Sequence, residues 1–290
     1  MLSVGEIRDR AIRAFGDPRN PNARSELRFG RKGSVAVRLS GEKAGLWYNF
    51  ESGEGGTLLN PDELPDRADF EPRRRYRVKR DEGKAEALGR IVRGLSSPDG
   101  TPVEVYLNSR CITRWPHSIR FSSNPLAMVA IAQDLSGKVR ACQRIYLNRS
   151  GQKSPIIYDG APTPKMTHVE GDHWNEVAAV RMPGRGELIL CEGVETGISI
   201  WMATGRPVAA CLGNSGFDSL FVRGSRVTIA RDGDEPGSPA DCRIQNAIRS
   251  RKHTHRVKLA SPPIGDDFND IHQRDGLDAV ASFIRAAEAQ

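Results

Sequence analysis

The apolar positions of this 290-residue chain follow two different rhythms. In the first 60 residues they come in short alternating bursts. SVAVRL and GLWYNF carry apolar side chains at roughly every second position and are bounded by glycines, which predicts a small antiparallel sheet. A short helix over Val4 to Phe15 precedes it. In GLWYNF, alternation sends Trp47 and Asn49 to one face and Tyr48 and Phe50 to the other. The Tyr48–Phe50 face is the expected core side, which leaves Trp47 as an exposed aromatic able to stack on a base. In the last hundred residues the rhythm changes. ELILCEG, PVAACL, RVTIARD and RVKLASP are near-continuous apolar strands. Between and after them lie helical stretches: TGISIWMAT with Ile198, Trp201 and Met202 on one face, PADCRIQNAIRSR, and GLDAVASFIRAA with Leu277, Val280, Ala281 and Ile284. Such strands alternating with helices predict a parallel sheet covered on both faces.

Between these regions, residues 61–84 are rich in proline and charge with no periodicity, and are expected to be a linker. Helical patterns resume in KAEALGRIVRGL and TPVEVYLNSRC. MVAIAQD and VRACQRIYL then read as strands joined by a Ser-Gly-Lys turn, and Ser154 to Pro183 reads as loop-rich. The expected organisation is a small head (1–60), a basic linker (61–84), a mixed α+β region (85–183) and an α/β domain (184–290).

Charge and cysteine usage narrow the setting. The formal net charge is +7, and six of the eight residues from Arg73 to Arg80 are cationic. Such a run serves either as a solvated face or as a phosphate-backbone contact, so a nucleic-acid partner is suggested. The five cysteines (Cys111, Cys142, Cys191, Cys211, Cys242) form no CxxC pair, so neither a disulfide framework nor a zinc ribbon is expected. No apolar run reaches the ~20 residues of a membrane span, and the N-terminal MLSVGEIRDRAIRAF lacks the features of a secretory signal. A cytoplasmic protein without a membrane partner is expected.

The candidate chemistry lies at the ends of the apolar strands. Glu192 follows LILC directly, and Asp232 and Asp234 follow VTIA; all three are expected at the carboxyl edge of one sheet, where such folds bind ligands. After RVKLASP, the segment PPIGDDFNDIH adds Asp266, Asp267 and Asp270 at the same edge. Carboxylates converging without a cation repel and raise one another's pKa. Magnesium relieves this, since it favours a few carboxylates together with water and substrate phosphates. An EF-hand is excluded: counted from Asp232, the fifth position is Pro236 and the twelfth is Arg243.

CEGVETG, ARDGDEPG and PPIGDDFND, each at a strand end, together resemble the Toprim domain of bacterial primases, topoisomerases and some nucleases. EGVETGISIWMATG with the later GDDFND looks nearest to primase-like proteins of plasmids and phages. The resemblance implies a Toprim-type parallel four-stranded sheet with flanking helices, behind a mixed α+β primase-core region and a small β-rich head. It implies Glu192, Asp232 and Asp234 as catalytic acids, with Asp267 and Asp270 as further ligands for Mg2+ or Mn2+. Asp266 stands where many primases carry a lysine. Upstream, MVAIAQDLSGKVRACQRIYL followed by Lys165 and Met166 resembles the segment that lines the nucleotide and template path. On that basis Arg144 and Lys165, with Arg110 and Arg120, are the expected nucleotide and nucleic-acid contacts. The head resembles a domain that is a zinc ribbon in many relatives, but residues 1–60 hold no metal-spaced Cys or His and no zinc is expected.

The expected activity is that of a DNA-directed primase, a magnesium-dependent nucleotidyltransferase making short primers on single-stranded DNA from nucleoside triphosphates in plasmid or phage replication. A separate helicase or replication protein is a further expected partner, because the chain contains no GxxxxGK[ST] phosphate loop. Two alternatives stand beside it: a Toprim nuclease using the same carboxylates with water, and a non-catalytic nucleic-acid-binding accessory protein.

Overall fold

The computed structural model describes residues 3–30, 33–41, 44–49, 54–59, 73–158, 161–171, 174–213, 216–220, 222–224, 226–252 and 254–288. They divide into two compact units, one of residues 1–76 with 155–163, the other of residues 77–154 with 164–290.

In the first unit, helix α1 (Val4–Phe15) opens with a capping box in which Ser3 and Glu6 satisfy each other's backbone N–H groups. Strands β1 (Glu26–Phe29), β2 (Val35–Arg38), β3 (Leu46–Asn49) and β4 (Gly55–Thr57) form an antiparallel sheet in sequence order. Ile7 and Ala11 of the helix share one core with Leu27, Phe29, Val37 and Leu39. The face assignment in β3 is the reverse of the sequence expectation. Trp47 packs against this core, its ring 5.2 Å from that of Phe15 at 61°, whereas Tyr48 is exposed. Register explains the inversion: Trp47 is opposite Val37, whose side chain is fully buried, and Tyr48 is opposite Ala36. Period-2 alternation defines two faces but not which of them is inward. Phe50 lies outside the described residues. The hairpin of β8 (Ile156–Tyr158) and β9 (Ala161–Thr163) belongs to the same unit.

Helix α2 (Arg73–Arg93) begins inside the segment expected to be a linker. The Arg73–Arg80 run is therefore helical, because past Pro72 the chain consists mainly of good helix formers (Arg, Lys, Glu, Ala, Leu). The rest of that segment, residues 61–72, lies outside the described residues.

The second unit contains two sheets on one core. After α3 (Pro102–Asn108), strands β5 (Ile119–Ser123), β6 (Leu126–Gln133), β7 (Val139–Tyr146) and β10 (Lys165–Val169) build an antiparallel sheet in the order β10-β7-β6-β5. The region expected to be loop-rich thus supplies β10, the short helix α4 (Trp174–Val177) and β11 (Val180–Met182). These strands are short: KMTHV is mostly polar with no apolar run, and the alternation of VRM is only three residues long, too little to mark a strand.

The second sheet has the order β11-β13-β12-β14-β15. Strands β12 (Leu188–Cys191), β13 (Val208–Ala210), β14 (Arg226–Ala230) and β15 (Arg256–Ala260) are mutually parallel, as expected, and β11 adds an antiparallel edge. The sheet is therefore five-stranded and mixed rather than four-stranded and parallel throughout. Side chains alternate between two cores. Ile189, Cys191, Val208, Ala210 and Ala230 pack with α5 (Val194–Thr204), α8 (Phe268–Asp275) and α9 (Leu277–Glu288). Leu190, Ala209, Val227 and Ile229 pack with α6 (Gly216–Ser219) and α7 (Pro239–Arg251). Cys191 and Cys211 are buried free thiols, and burial pushes Cys211 up to about 12. Among the described residues no helix is long and apolar enough to cross a membrane.

The head supplies the first prediction. Trp47→Ala removes core contacts and is expected to lower stability by about 2–3 kcal/mol, while Tyr48→Ala should change it by less than ~0.5 kcal/mol. Urea denaturation of the two variants checks this; equal losses would contradict the observed facing.

Candidate active site

The carboxyl edge of the parallel strands opens into a cleft of about 380 Å³, lined by Glu192, Glu195, Asp232 and Asp267 together with the cations Arg110, Lys153 and Lys165. This volume is in the range of small-molecule sites. Two loops build the acidic side, and Gly233 makes their approach possible. A Cβ on Gly233 would lie 2.0 Å from the Pro263 carbonyl oxygen, so only glycine fits between Asp232 and Asp234. The Gly233 N–H donates to Asp266 O at 2.8 Å, and the Gly265 N–H donates to Gly233 O at 2.7 Å. The loop after β14 and the loop after β15 are thus joined backbone to backbone, which holds Asp232 near Asp267.

The electrostatics follow from this closeness. Burial, reinforced by Glu192, Asp267, Asp234 and Asp270, raises Asp232 from the ordinary 3.8 to about 7. Burial also raises Glu192, with Asp234 adding to the rise and Lys165 opposing it. Asp267 is raised by burial, against hydrogen bonds from the Asp270 and Asn269 N–H groups. Asp232 Oδ1 is buried with no hydrogen-bond partner. Among the described residues no three of His, Cys, Asp and Glu close into a metal-ligand set. The acids nevertheless fit a divalent cation. A buried carboxylate oxygen without a donor, surrounded by carboxylates that raise its pKa, is the environment a hard cation relieves.

The remaining expected acids have other surroundings. Asp234 is half-buried outside the cleft lining, raised by burial and opposed by Arg231, and stays within electrostatic reach of Glu192 and Asp232. Asp267 is also the N-cap of α8, accepting from Asn269 N at 2.6 Å and Asp270 N at 2.9 Å. Asp270 is exposed and closes the capping box, its carboxylate accepting from the Asp267 N–H at 3.0 Å. The structure gives Asp270 this local task and does not bring it into the cleft. Asp266 pairs with Arg274 at 2.9 Å.

Of the expected basic residues, Lys165 and Arg110 line the cleft and Arg144 and Arg120 do not. Register is the reason. Lys165 is opposite Ile145, which also lines the cleft, whereas Arg120, Val129, Arg144 and Met166 form one rung on the other face of the antiparallel sheet. There Arg144 is half-buried beside Cys142 and His168, and its Nε has no partner.

Three features of the cleft were not anticipated from sequence. Lys153 lies 3.9 Å from Glu195 and 5.8 Å from the centre of the Tyr106 ring. The Tyr106 hydroxyl donates to Glu195 Oε1 at 2.5 Å, so Glu195 is held by two donors. Buried Asn269 fixes Arg110: its Oδ1 accepts from the guanidinium at 3.0 Å, and its Nδ2 donates to Arg110 O at 3.1 Å and to Ser199 Oγ at 2.9 Å. The NDIH segment was a signal for Asn269, but its partner is 159 residues away in sequence. Finally, the first turn of α5 faces the cleft, and its N-cap Gly193 makes no side-chain hydrogen bond, leaving N–H groups and the positive helix end for an anion.

The site thus joins an acidic cluster at the carboxyl edge of the parallel strands to Lys165 of the antiparallel sheet and to Arg110 and Lys153 from outside its strands. Residues 187–278 match the Toprim domain family. Residues 82–172 match a domain of unknown function, DUF7146. No curated protein matches the chain. Among solved structures, it is similar to the zinc-binding and RNA polymerase domains of the Aquifex aeolicus primase. That match has 16% identity, covers 99% of this chain and 86% of the other, and has a TM-score of 0.44. It is also similar to a DnaG catalytic core (13% identity, 72% and 79% covered, TM-score 0.47). A third is a DnaG primase catalytic domain bound to ssDNA (12% identity, 73% and 82% covered, TM-score 0.45).

The pKa of Asp232 gives a test with a definite sign. Its folded value, about 7, lies above the ordinary 3.8, so the folded state binds the proton more tightly. Metal-free protein should therefore lose stability as pH rises from about 4 to about 7. Mg2+ binds the deprotonated form, so the rise in Tm on adding Mg2+ should be small at pH 5 and grow through pH 7. Differential scanning fluorimetry over that range checks it; a pH-independent Mg2+ effect would contradict the assignment. Gly233→Ala should cost about 3 kcal/mol and abolish the Mg2+ effect, because the two loops can no longer meet.

Proposed function

We propose that this chain is a DNA primase-like nucleotidyltransferase that extends a 3′-hydroxyl on a single-stranded template. The observation that carries the reading is the buried Asp232 carboxylate, with Oδ1 unpartnered, in a cleft that also holds three cations. Glu192, Asp232 and Asp267 would hold Mg2+ or Mn2+, with Asp234 adding negative charge from outside the cleft lining. A divalent cation bound there would neutralise charge on the transferring phosphoryl group and favour the hydroxyl's deprotonation.

The remaining work falls to the chain's own side chains. Lys165, Lys153 and Arg110 line the same cleft as the acids and suit a triphosphate, as does the N-terminus of α5. Asn269 fixes Arg110 through both its backbone and its guanidinium, so this cation is positioned before substrate arrives. In the reaction, the 3′-oxygen forms a bond to the α-phosphorus and the α–β bridging P–O bond breaks. Pyrophosphate leaves, and the hydroxyl proton passes to water or a cleft carboxylate. A plasmid or phage replication setting, with a separate helicase, accompanies this reading.

The test is synthesis from labelled nucleoside triphosphates on single-stranded DNA with Mg2+ or Mn2+. Asp232→Asn should lower kcat by roughly 10³-fold or more. Lys165→Ala should lower it by about 10²-fold at saturating template. Arg144→Ala, on the far face of its sheet, should leave kcat nearly unchanged. Cleavage without synthesis in the wild type would favour a nuclease, and neither activity would favour a binding protein.

A further inference from the structure

The amino edge of the parallel sheet, opposite the acids, carries the reverse charge. Arg226 and Arg256 are the first residues of β14 and β15 and are in register with each other. Arg206 lies just before β13, Lys258 within β15, Arg185 just before β12, and Arg223 in the loop leading to β14. One carboxylate is drawn in among them. Glu187 meets Arg226 Nη1 at 3.1 Å, Lys258 Nζ at 3.3 Å and Arg206 Nη2 at 3.8 Å, and its carbonyl accepts from Arg206 Nε at 3.1 Å. Arg185, Arg223 and Arg256 are exposed and make no ion pair among the described residues. A shallow cleft of about 410 Å³ runs between the Gly186–Leu188 segment, Pro207 and the residues Arg223, Gly224 and Arg226.

From this geometry we infer that the amino edge is a second nucleic-acid contact, which takes the phosphate backbone of single-stranded template outside the catalytic cleft. The inference rests on the nucleotidyltransferase reading for the identity of the polyanion. Six cations around one acid leave a large local surplus of positive charge, and releasing counterions from bound phosphates is what such a surface favours. The path from Glu187 to Glu192 runs the length of β12, about 16 Å at ~3.3 Å per residue. A strand held at the amino edge is therefore not the segment in the acidic cleft. Glu187 tempers the patch: it holds Arg206, Arg226 and Lys258 in place while reducing the charge offered.

The test is equilibrium binding of the full chain to labelled single-stranded oligonucleotides, short and long, over a series of salt concentrations and without nucleotides. Arg223→Glu with Arg226→Glu should flatten the log–log salt slope on the long strand by about 1.4, since each lost phosphate contact on single strands contributes ~0.7. The slope on a short strand that only fills the cleft should hold, as should kcat at saturating template. Glu187→Gln should act in the opposite direction, tightening binding to the long strand, a result that a misfolded variant cannot imitate. Unchanged slope and affinity in both variants would overturn the inference, as would an effect confined to duplex DNA. The binding result is independent of synthesis. A patch effect in a protein that makes no primer would count against the nucleotidyltransferase reading alone, and primer synthesis without a patch effect would count against the amino-edge contact alone.

Discussion

Carboxylates gathered at one edge of a parallel sheet repel one another, and the organisation of the second unit is a way of holding them there. The loops that carry Asp232 and Asp267 are joined through Gly233, where any side chain would collide with the Pro263 carbonyl. Because backbone hydrogen bonds hold the loops, the acids cannot separate to relieve the repulsion. Burial, with this repulsion added to it, raises Asp232 to about 7, so that protonation becomes the metal-free protein's means of relief. A bound divalent cation would remove the same strain without a proton.

The cations that line the cleft are placed by different means. Lys165 arrives on β10, paired to β7 opposite Ile145, so its position depends on register in the antiparallel sheet. Arg110 arrives from just after α3 and is held by Asn269 of α8, whose remaining donor bond ties in Ser199 of α5. Asn269 and Ser199 are fully buried, and the same Ser199 hydroxyl lies 3.1 Å from His272 Nδ1. Removing one member of such a network strands the others without partners, so it behaves as a unit. The two sheets also share one hydrophobic core, with Met128, Ala130 and Ile145 packed with Ile189, Ile198 and Phe268. The cleft is therefore part of the core's geometry and is not a loop added to it.

The same sheet polarity separates charge along its length. Acids follow the last residues of β12 and β14, and arginines begin β14 and β15. Parallel strands must all present the same end at the same edge, so one short sheet carries opposite potentials on its two rims. An antiparallel sheet would have mixed them.

Much of the second unit could be read from the chain itself. The four apolar strands, the helices between them and the placement of Glu192, Asp232 and Asp267 follow from local pattern. A strand with apolar residues on both sides must be buried, and a residue just past its end must lie at the sheet edge. What the sequence could not settle were choices between equivalent faces and partners remote in the chain. Alternation allowed Trp47 or Tyr48 to face inward, and Arg144 or its neighbours Gln143 and Ile145 to line the cleft. Only strand register decided both. Short polar strands such as KMTHV have no periodic signal and exist because a neighbouring strand offers its free edge. Asn269 holding Arg110 and Tyr106 holding Glu195 join residues far apart in sequence, and such pairs come into being only when the chain is packed.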